Sequence, residues 1–183
     1  MLGVGVSSKQ PLSAHSANHY ELVLFLKPKV TIGICVKNSE KTIKDAINSV
    51  VHQDFPHELI EIVVVDGQSE DRTLEVIKET LSQCDIKTTF LSENRGLGFA
   101  RQMVVDNAKG DYILWVDGDL MLSRDYVRKQ VEFMEQNPAV GIAKGKYELR
   151  DGLNLVDMLE NLNFVLIFRN EGNSALKAFG TSG

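Results

Sequence analysis

From Val30 onward, short apolar runs alternate with stretches whose apolar residues recur every three or four positions. That is the pattern of repeated βα units around a mostly parallel sheet. The first run, Val30 to Val36, predicts a strand. From about Ser39 a helix follows, with Ile43, Ala46, Ile47, Val50 and Val51 on one face, Asn38 or Ser39 as N-cap and Pro56 beyond its end. Ile60 to Val65 is apolar almost throughout, as expected of a strand covered on both faces. The segment Asp66-Gly67-Gln68-Ser69-Glu70-Asp71 reads as a turn that also caps a helix, whose buried stripe is Leu74, Ile77 and Leu81. Ile86 to Leu91 predicts a third strand. The loop Ser92 to Gly98 then enters a helix running through Lys109, with Gly110 placed to end it.

Asp111 to Val116 predicts the fourth strand, followed by an acidic turn and a helix from Ser123 to Gln136. Pro138 separates that helix from a further strand near Val140 to Tyr147. Leu153 to Phe168 reads as a very apolar helix, a core helix by preference and a lipid-facing or partner-facing one as the alternative. Met1 to Lys29 reads as an extension, partly disordered up to about His19. It lacks the charged start, long apolar core and cleavage site of a signal peptide, and its longest apolar stretch, Leu22 to Leu26, is too short to span a bilayer. Residues 30–183 are therefore expected to form one domain.

Composition narrows the class. The chain has 183 residues, 43% of them hydrophobic and 25% charged, the profile of an ordinary globular domain. A net charge of -5 argues against a nucleic-acid partner, which needs a basic face. Cys35 and Cys84 form neither a metal-ligand spacing nor a disulfide framework and are expected as small buried side chains in a reducing compartment. The histidines, His15, His19, His52 and His57, are scattered through termini and loops, which argues against a histidine metal site.

The chemistry gathers at strand ends. In an open α/β sheet, ligands bind outside the carboxyl ends of the strands, near the point where strand order reverses. Lys37 and Asn38 follow strand one, Asp66 follows strand two, Arg95 and Gly96 follow strand three, and Asp117 and Asp119 follow strand four. The last pair is the most informative. On an extended backbone residues two apart face the same side, so Asp117 and Asp119 would present two carboxylates to one ligand, with Gly118 free to turn between them. Two such groups repel unless a cation lies between, which favours Mg2+ or Mn2+.

Taken in series, Val30-Thr-Ile-Gly-Ile, Val64-Val-Asp66-Gly-Gln-Ser69-Glu-Asp71-Arg-Thr73, Asn94-Arg-Gly96-Leu-Gly-Phe-Ala100-Arg101 and Gly110-Asp-Tyr-Ile-Leu-Trp-Val-Asp117-Gly-Asp119 resemble the inverting family-two glycosyltransferases. The resemblance covers about residues 30 to 147, and Gly180-Thr-Ser-Gly183 loosely echoes a later glycine-containing stretch. It implies a GT-A fold, a Rossmann-like α/β architecture with a mostly parallel sheet flanked by helices, incomplete here before the acceptor-binding half. It implies a UDP- or GDP-sugar donor held through Mg2+ or Mn2+, and sugar transfer with inversion to a glycan, lipid-phosphate or protein acceptor. The nucleotide-sugar site it implies comprises Val36, Lys37, Asn38, Asp66, Arg95, Gly96, Arg101, Asp117 and Gly118.

Within that set, Asp66 would accept an N–H from the base, the alternative being a residue that only shapes its turn. Asp71 would serve the helix cap. Arg95 or Arg101 would contact base or phosphate, with a surface ion pair as the competing reading for Arg101. Asp117 would bind the ribose or reach the metal through water, and Asp119 would coordinate it directly. The general base is expected in an acidic motif beyond Gly183. A cytoplasmic location follows, at the inner membrane face if the part beyond Gly183 associates with a membrane.

Three rivals are weaker or different in kind. Gly96-Leu-Gly98-Phe-Ala-Arg101 mimics a dinucleotide fingerprint but has Arg101 at the third glycine and follows the third strand, where the fingerprint follows the first. Asp117-Gly-Asp119-Leu resembles the aspartate-nucleophile motif of haloacid-dehalogenase-type phosphatases, which follows the first core strand and needs a longer downstream region. A nucleotide-sugar-binding module without catalysis is the alternative from another class, because an inverting transfer needs a base.

Overall fold

The structure, a computed structural model, describes residues 27–145. Four parallel strands, β1 (Val30–Val36), β2 (Ile60–Asp66), β3 (Lys87–Ser92) and β4 (Tyr112–Trp115), lie in the order β3-β2-β1-β4. They are joined through the helices α1 (Ile43–Val51), α2 (Thr73–Leu81) and α3 (Leu97–Asn107). Helix α4 (Tyr126–Gln136) follows β4, and a short 3-10 turn (His57–Leu59) leads into β2. After β3 the chain returns across the sheet to pair β4 with β1. Strand order therefore reverses between β1 and β4, where a crevice for a ligand is expected.

The two sheet faces are covered unequally. Val30, Ile32, Ile34 and Val36 of β1 alternate toward one face and pack with Ile60, Ile62 and Val64 of β2 against α1, α2 and α4. Ile43, Ala46, Ile47 and Val50 supply the buried stripe of α1, as their spacing predicts, with Val51 at its margin. On the other face Val63 and Val65 meet Ala100 and Val104 of α3 in a smaller cluster. Burying each such aliphatic side chain stabilises the fold by about 1.5–3 kcal/mol, so the first face carries most of the apolar contribution.

That second face also holds a buried carboxylate. Glu61 on β2 accepts a hydrogen bond from the Thr31 hydroxyl on β1 at 2.7 Å and from the Lys109 N–H at 2.6 Å, while Gly110 N–H donates to Thr31 Oγ1 at 2.9 Å. The buried charge is thereby satisfied by the chain entering β4. Gly110 does not cap α3, which ends at Asn107. A Cβ there would lie 2.5 Å from the Thr31 backbone nitrogen, so Gly110 is required for close approach to β1.

Other expected boundaries also shift. β4 ends at Trp115 rather than Val116, and α4 begins at Tyr126 rather than Ser123, after a turn. α1 begins at Ile43, because Ser39 C=O first accepts the N–H groups of Thr42 and Ile43 in a turn. Residues 140–145 form no strand where one was expected to begin. The compact unit containing the sheet ends at Gly141. The expected helix Leu153 to Phe168, the Gly180-Thr-Ser-Gly183 echo and the extension before Lys27 lie outside the described residues. Among the described residues no helix is long and apolar enough to cross a membrane.

Candidate nucleotide-sugar site

At the carboxyl ends of β1 and β2 two loops are laced together. Asn38 N–H donates to Ser69 Oγ at 2.9 Å, and Glu70 N–H donates to Asn38 Oδ1 at 2.9 Å. Ser39 N–H donates to Thr73 Oγ1, Glu40 N–H to Asp71 and Arg72 N–H to Glu40. The N-cap of α1 is Thr42 rather than Asn38 or Ser39; Asn38 spends its side chain across the gap and adopts a positive φ of 51°, which asparagine tolerates better than most residues. The N-cap of α2 is Arg72, which makes no side-chain cap hydrogen bond; Asp71, expected to serve the cap, lies one residue before it and accepts the N–H and hydroxyl of Thr73, the first helical residue. The Thr73 hydroxyl above all holds the Asp71 carboxyl below its ordinary pKa.

Asp66 is buried at the end of β2. Its carboxylate accepts the Ser69 hydroxyl at 2.6 Å and the Ser69 N–H at 3.2 and 3.3 Å. It therefore shapes its own turn, while a carboxylate's two oxygens retain capacity for a further donor. Gly67 N–H donates to Val36 C=O, which fastens this turn to β1.

A cleft of about 420 Å³ opens between the ends of β1–β3 and the first turn of α3. Of the expected residues it brings together Val36, Lys37 and Gly96. It also takes in Gln68, Glu93 and Cys35, which the sequence reading did not select. Glu93 is buried and accepts the N–H groups of Arg95 and Gly96 just before α3. A carboxylate there complements the positive end of the helix. The only signal for Glu93 in the sequence is an acidic residue three positions before Gly96, whose φ of 96° marks the turn into the helix. Cys35 lines the cleft, and burial pushes its thiol pKa up to about 11.

Arg95 lies with its guanidinium 4.0 Å from the Phe99 ring centroid, and Arg101 lies 5.7 Å from that of Trp115. Arg101 also approaches Asp117 at 3.8 Å, with both side chains about half exposed or more, as the ion-pair alternative anticipated. Such exposed pairs stabilise little, so both partners remain available to a ligand.

The turn after β4 differs from the expectation of an extended strand end. Leu120 N–H donates to Asp117 C=O at 3.0 Å, so Asp117, Gly118 and Asp119 occupy a β-turn rather than alternating along a strand. Gly118 does not take a positive φ; its smallness is used because a Cβ would press on Ser39 and Val36 at 3.2–3.3 Å. The turn is thus seated on the end of β1, beside the strand-order reversal. Asp117, Gly118 and Asp119 are not among the residues lining the cleft. Asp119 is exposed, and its carboxylate has no hydrogen-bond or ion-pair partner among the described residues.

Beyond the turn the chain is fixed to α1. Gln53, buried, donates to the carbonyls of Ser49 and Ser123 and accepts Val127 N–H at 2.9 Å, while Ser49 Oγ accepts Leu122 N–H.

Residues 31–178 match the sequence profile of the glycosyl transferase family 2. The chain belongs to this family. Its relatives include poly(ribitol-phosphate) beta-N-acetylglucosaminyltransferase TarS of Staphylococcus aureus, 31% identical over 110 residues, which are 60% of this chain and 19% of TarS. The crystal structure of S. aureus TarS 1-349 in complex with UDP-GlcNAc superposes with a TM-score of 0.55 at 25% identity, over 67% of this chain and 38% of that one. The mannosyltransferase PcManGT from Pyrobaculum calidifontis, in complex with GDP-Man and Mn2+, gives a TM-score of 0.63 at 26% identity, over 69% of this chain and 38% of that one. The chain spans between about a fifth and a half of the length of the first curated relatives it matches. The parallel sheet flanked by helices is the GT-A architecture that the sequence motifs implied.

Proposed function

We propose that this chain is the donor-binding part of a nucleotide-sugar-dependent glycosyltransferase that holds a UDP- or GDP-sugar along the rim formed by the ends of β1, β2, β3 and β4. The observation that carries this reading is the seating of the Asp117–Gly118–Asp119 turn on the end of β1, at the reversal of strand order, next to a preformed cleft. The base is assigned to Asp66 together with the cleft around Lys37 and Gly96, and the phosphates to Arg95 or Arg101.

Asp119 would hold a divalent cation directly, with Asp117 reaching it through water or binding the ribose. The donor set fits: both groups are exposed hard oxygen ligands, one of them without a competing partner among the described residues. When bound, Mg2+ or Mn2+ would offset the negative charge that develops on the departing diphosphate. The chain's own residues orient the nucleoside and fix the rim. Sugar transfer with inversion, the identity of the acceptor and a base supplied by residues beyond those described complete the proposal.

The test is calorimetric titration with UDP and GDP in Mn2+ and again in chelator. Binding that depends on the metal, and that Asp119→Ala removes, is the expected result. Undiminished affinity in that variant would overturn the cation assignment. Asp66→Ala should weaken UDP far more than inorganic pyrophosphate; equal weakening of both would remove Asp66 from the base site.

A further inference from the structure

At the opposite end of the strands from the rim, where β2 and β3 begin, one imidazole nitrogen of His57, the Cys84 sulfur and an Asp85 carboxylate oxygen lie within 4.8 Å of one another. These residues come from the 3-10 turn before β2 and the loop before β3. The parallel pairing of β2 with β3 brings them together across a sequence gap that conceals them. This site is separate from the rim of the proposed donor site and does not depend on it.

The imidazole geometry limits what can sit there. His57 Nε2 lies 3.0 Å from the Val51 carbonyl oxygen, which can only accept, so Nε2 carries the hydrogen. Nδ1 faces the Asp85 carboxylate at 2.5 Å. Two acceptors at that distance require a second proton or a cation between them. An imidazole that donates one N–H to a backbone carbonyl and offers the other nitrogen is the arrangement that orients metal-bound histidines. Cys84 completes the set, its sulfur accepting the Ile86 N–H at 3.5 Å.

We infer that His57, Cys84 and Asp85 form a structural binding site for a thiophilic divalent cation of the Zn2+ class. The cation replaces the thiol proton and any proton on Nδ1, releasing them to solvent, and a water or further ligand fills the fourth position. Ligands of a tetrahedral zinc stand about 3.3 Å apart, so the Asp85 carboxylate must withdraw by somewhat under about 1 Å. Its side chain is 81% exposed and free to do so. Soft sulfur and imidazole ligands select this ion against Mg2+, the reverse of the all-carboxylate turn at Asp119.

The test uses the whole chain, stripped of metal by chelator and titrated with Co2+ and then Zn2+. The expected result is a thiolate-to-cobalt charge-transfer band that saturates at one equivalent, persists in excess Mg2+, and is displaced by Zn2+ with a rise in Tm. Cys84→Ser should abolish the band and His57→Gln should weaken binding at least about tenfold, whereas Cys35→Ser and Asp119→Ala should leave it intact. Cobalt uptake without the band, loss of the band in Cys35→Ser, or no uptake at all would overturn the site and leave a proton-bridged His57–Asp85 pair. Absence of the band from the wild type overturns the site whether or not any variant folds, and a band that survives in Cys35→Ser assigns it to Cys84.

Discussion

The two ends of the rim are built by different rules. At the β1/β2 corner the two loops are paired across the gap: Asn38 with Ser69 and Glu70, Ser39 with Thr73, Glu40 with Asp71 and Arg72. At the β4 turn the backbone is seated on Val36 and Ser39, but the Asp119 carboxylate is unpartnered among the described residues and Asp117 has only a long contact with Arg101. The first corner contributes to the stability of the fold. The second carries charge that the fold itself leaves largely uncompensated, as the proposed cation site requires.

Substitutions should separate the two corners. The largest loss of stability is expected for Thr73→Val, because the buried hydroxyl both accepts Ser39 N–H and donates to Asp71. Leaving those partners unpaired should cost about 1–3 kcal/mol, read as a lower urea midpoint with unchanged slope. Asn38→Ala should cost about 1 kcal/mol, through the lost acceptor for Glu70 N–H and the strain of a positive φ on alanine.

Acid should act on the same corner. The folded pKa of Asp71 is depressed, mainly by the Thr73 hydroxyl, so its contribution is present above the unfolded carboxylate pKa and disappears as pH falls through the folded value. Between neutrality and about pH 4 this contribution should be flat; below that, Asp71→Asn should lose less stability than the wild type. The smallest effect is expected for Asp119→Asn, within about 0.5 kcal/mol in the absence of metal, since no contact is removed. A substantial destabilisation there would break the comparison by showing that the turn, too, is held by its carboxylate.

The strands were legible because their signal is local. Val30–Val36 is as expected and Ile60–Asp66 differs by one residue, since a strand buried on both faces is simply an apolar run. The rim was legible for the same reason, because polar residues after such runs must lie at strand ends. What escaped depends on contacts between strands or on how a particular turn closes. Gly110 reads as a helix cap until β1 is seen beneath it, and the two aspartates read as a strand end until the Leu120–Asp117 bond closes the turn. Glu93 looks like a solvated loop residue, although it holds the start of α3. Glu61, a lone charge within an apolar strand, was a readable sign that a buried partner must exist.

Gln53 lies at the end of α1, away from the rim, yet its amide is spliced into both Ser123 and Val127, the segment that returns from the acidic turn. If Asp119 holds the donor's cation as proposed, a screen that scores only donor capture would recover lesions at Gln53 beside those at Asp119. Purified Gln53→Ala would differ in one respect, since its defect should grow on warming as the unanchored segment drifts, whereas the loss of a ligand atom is felt equally in the cold.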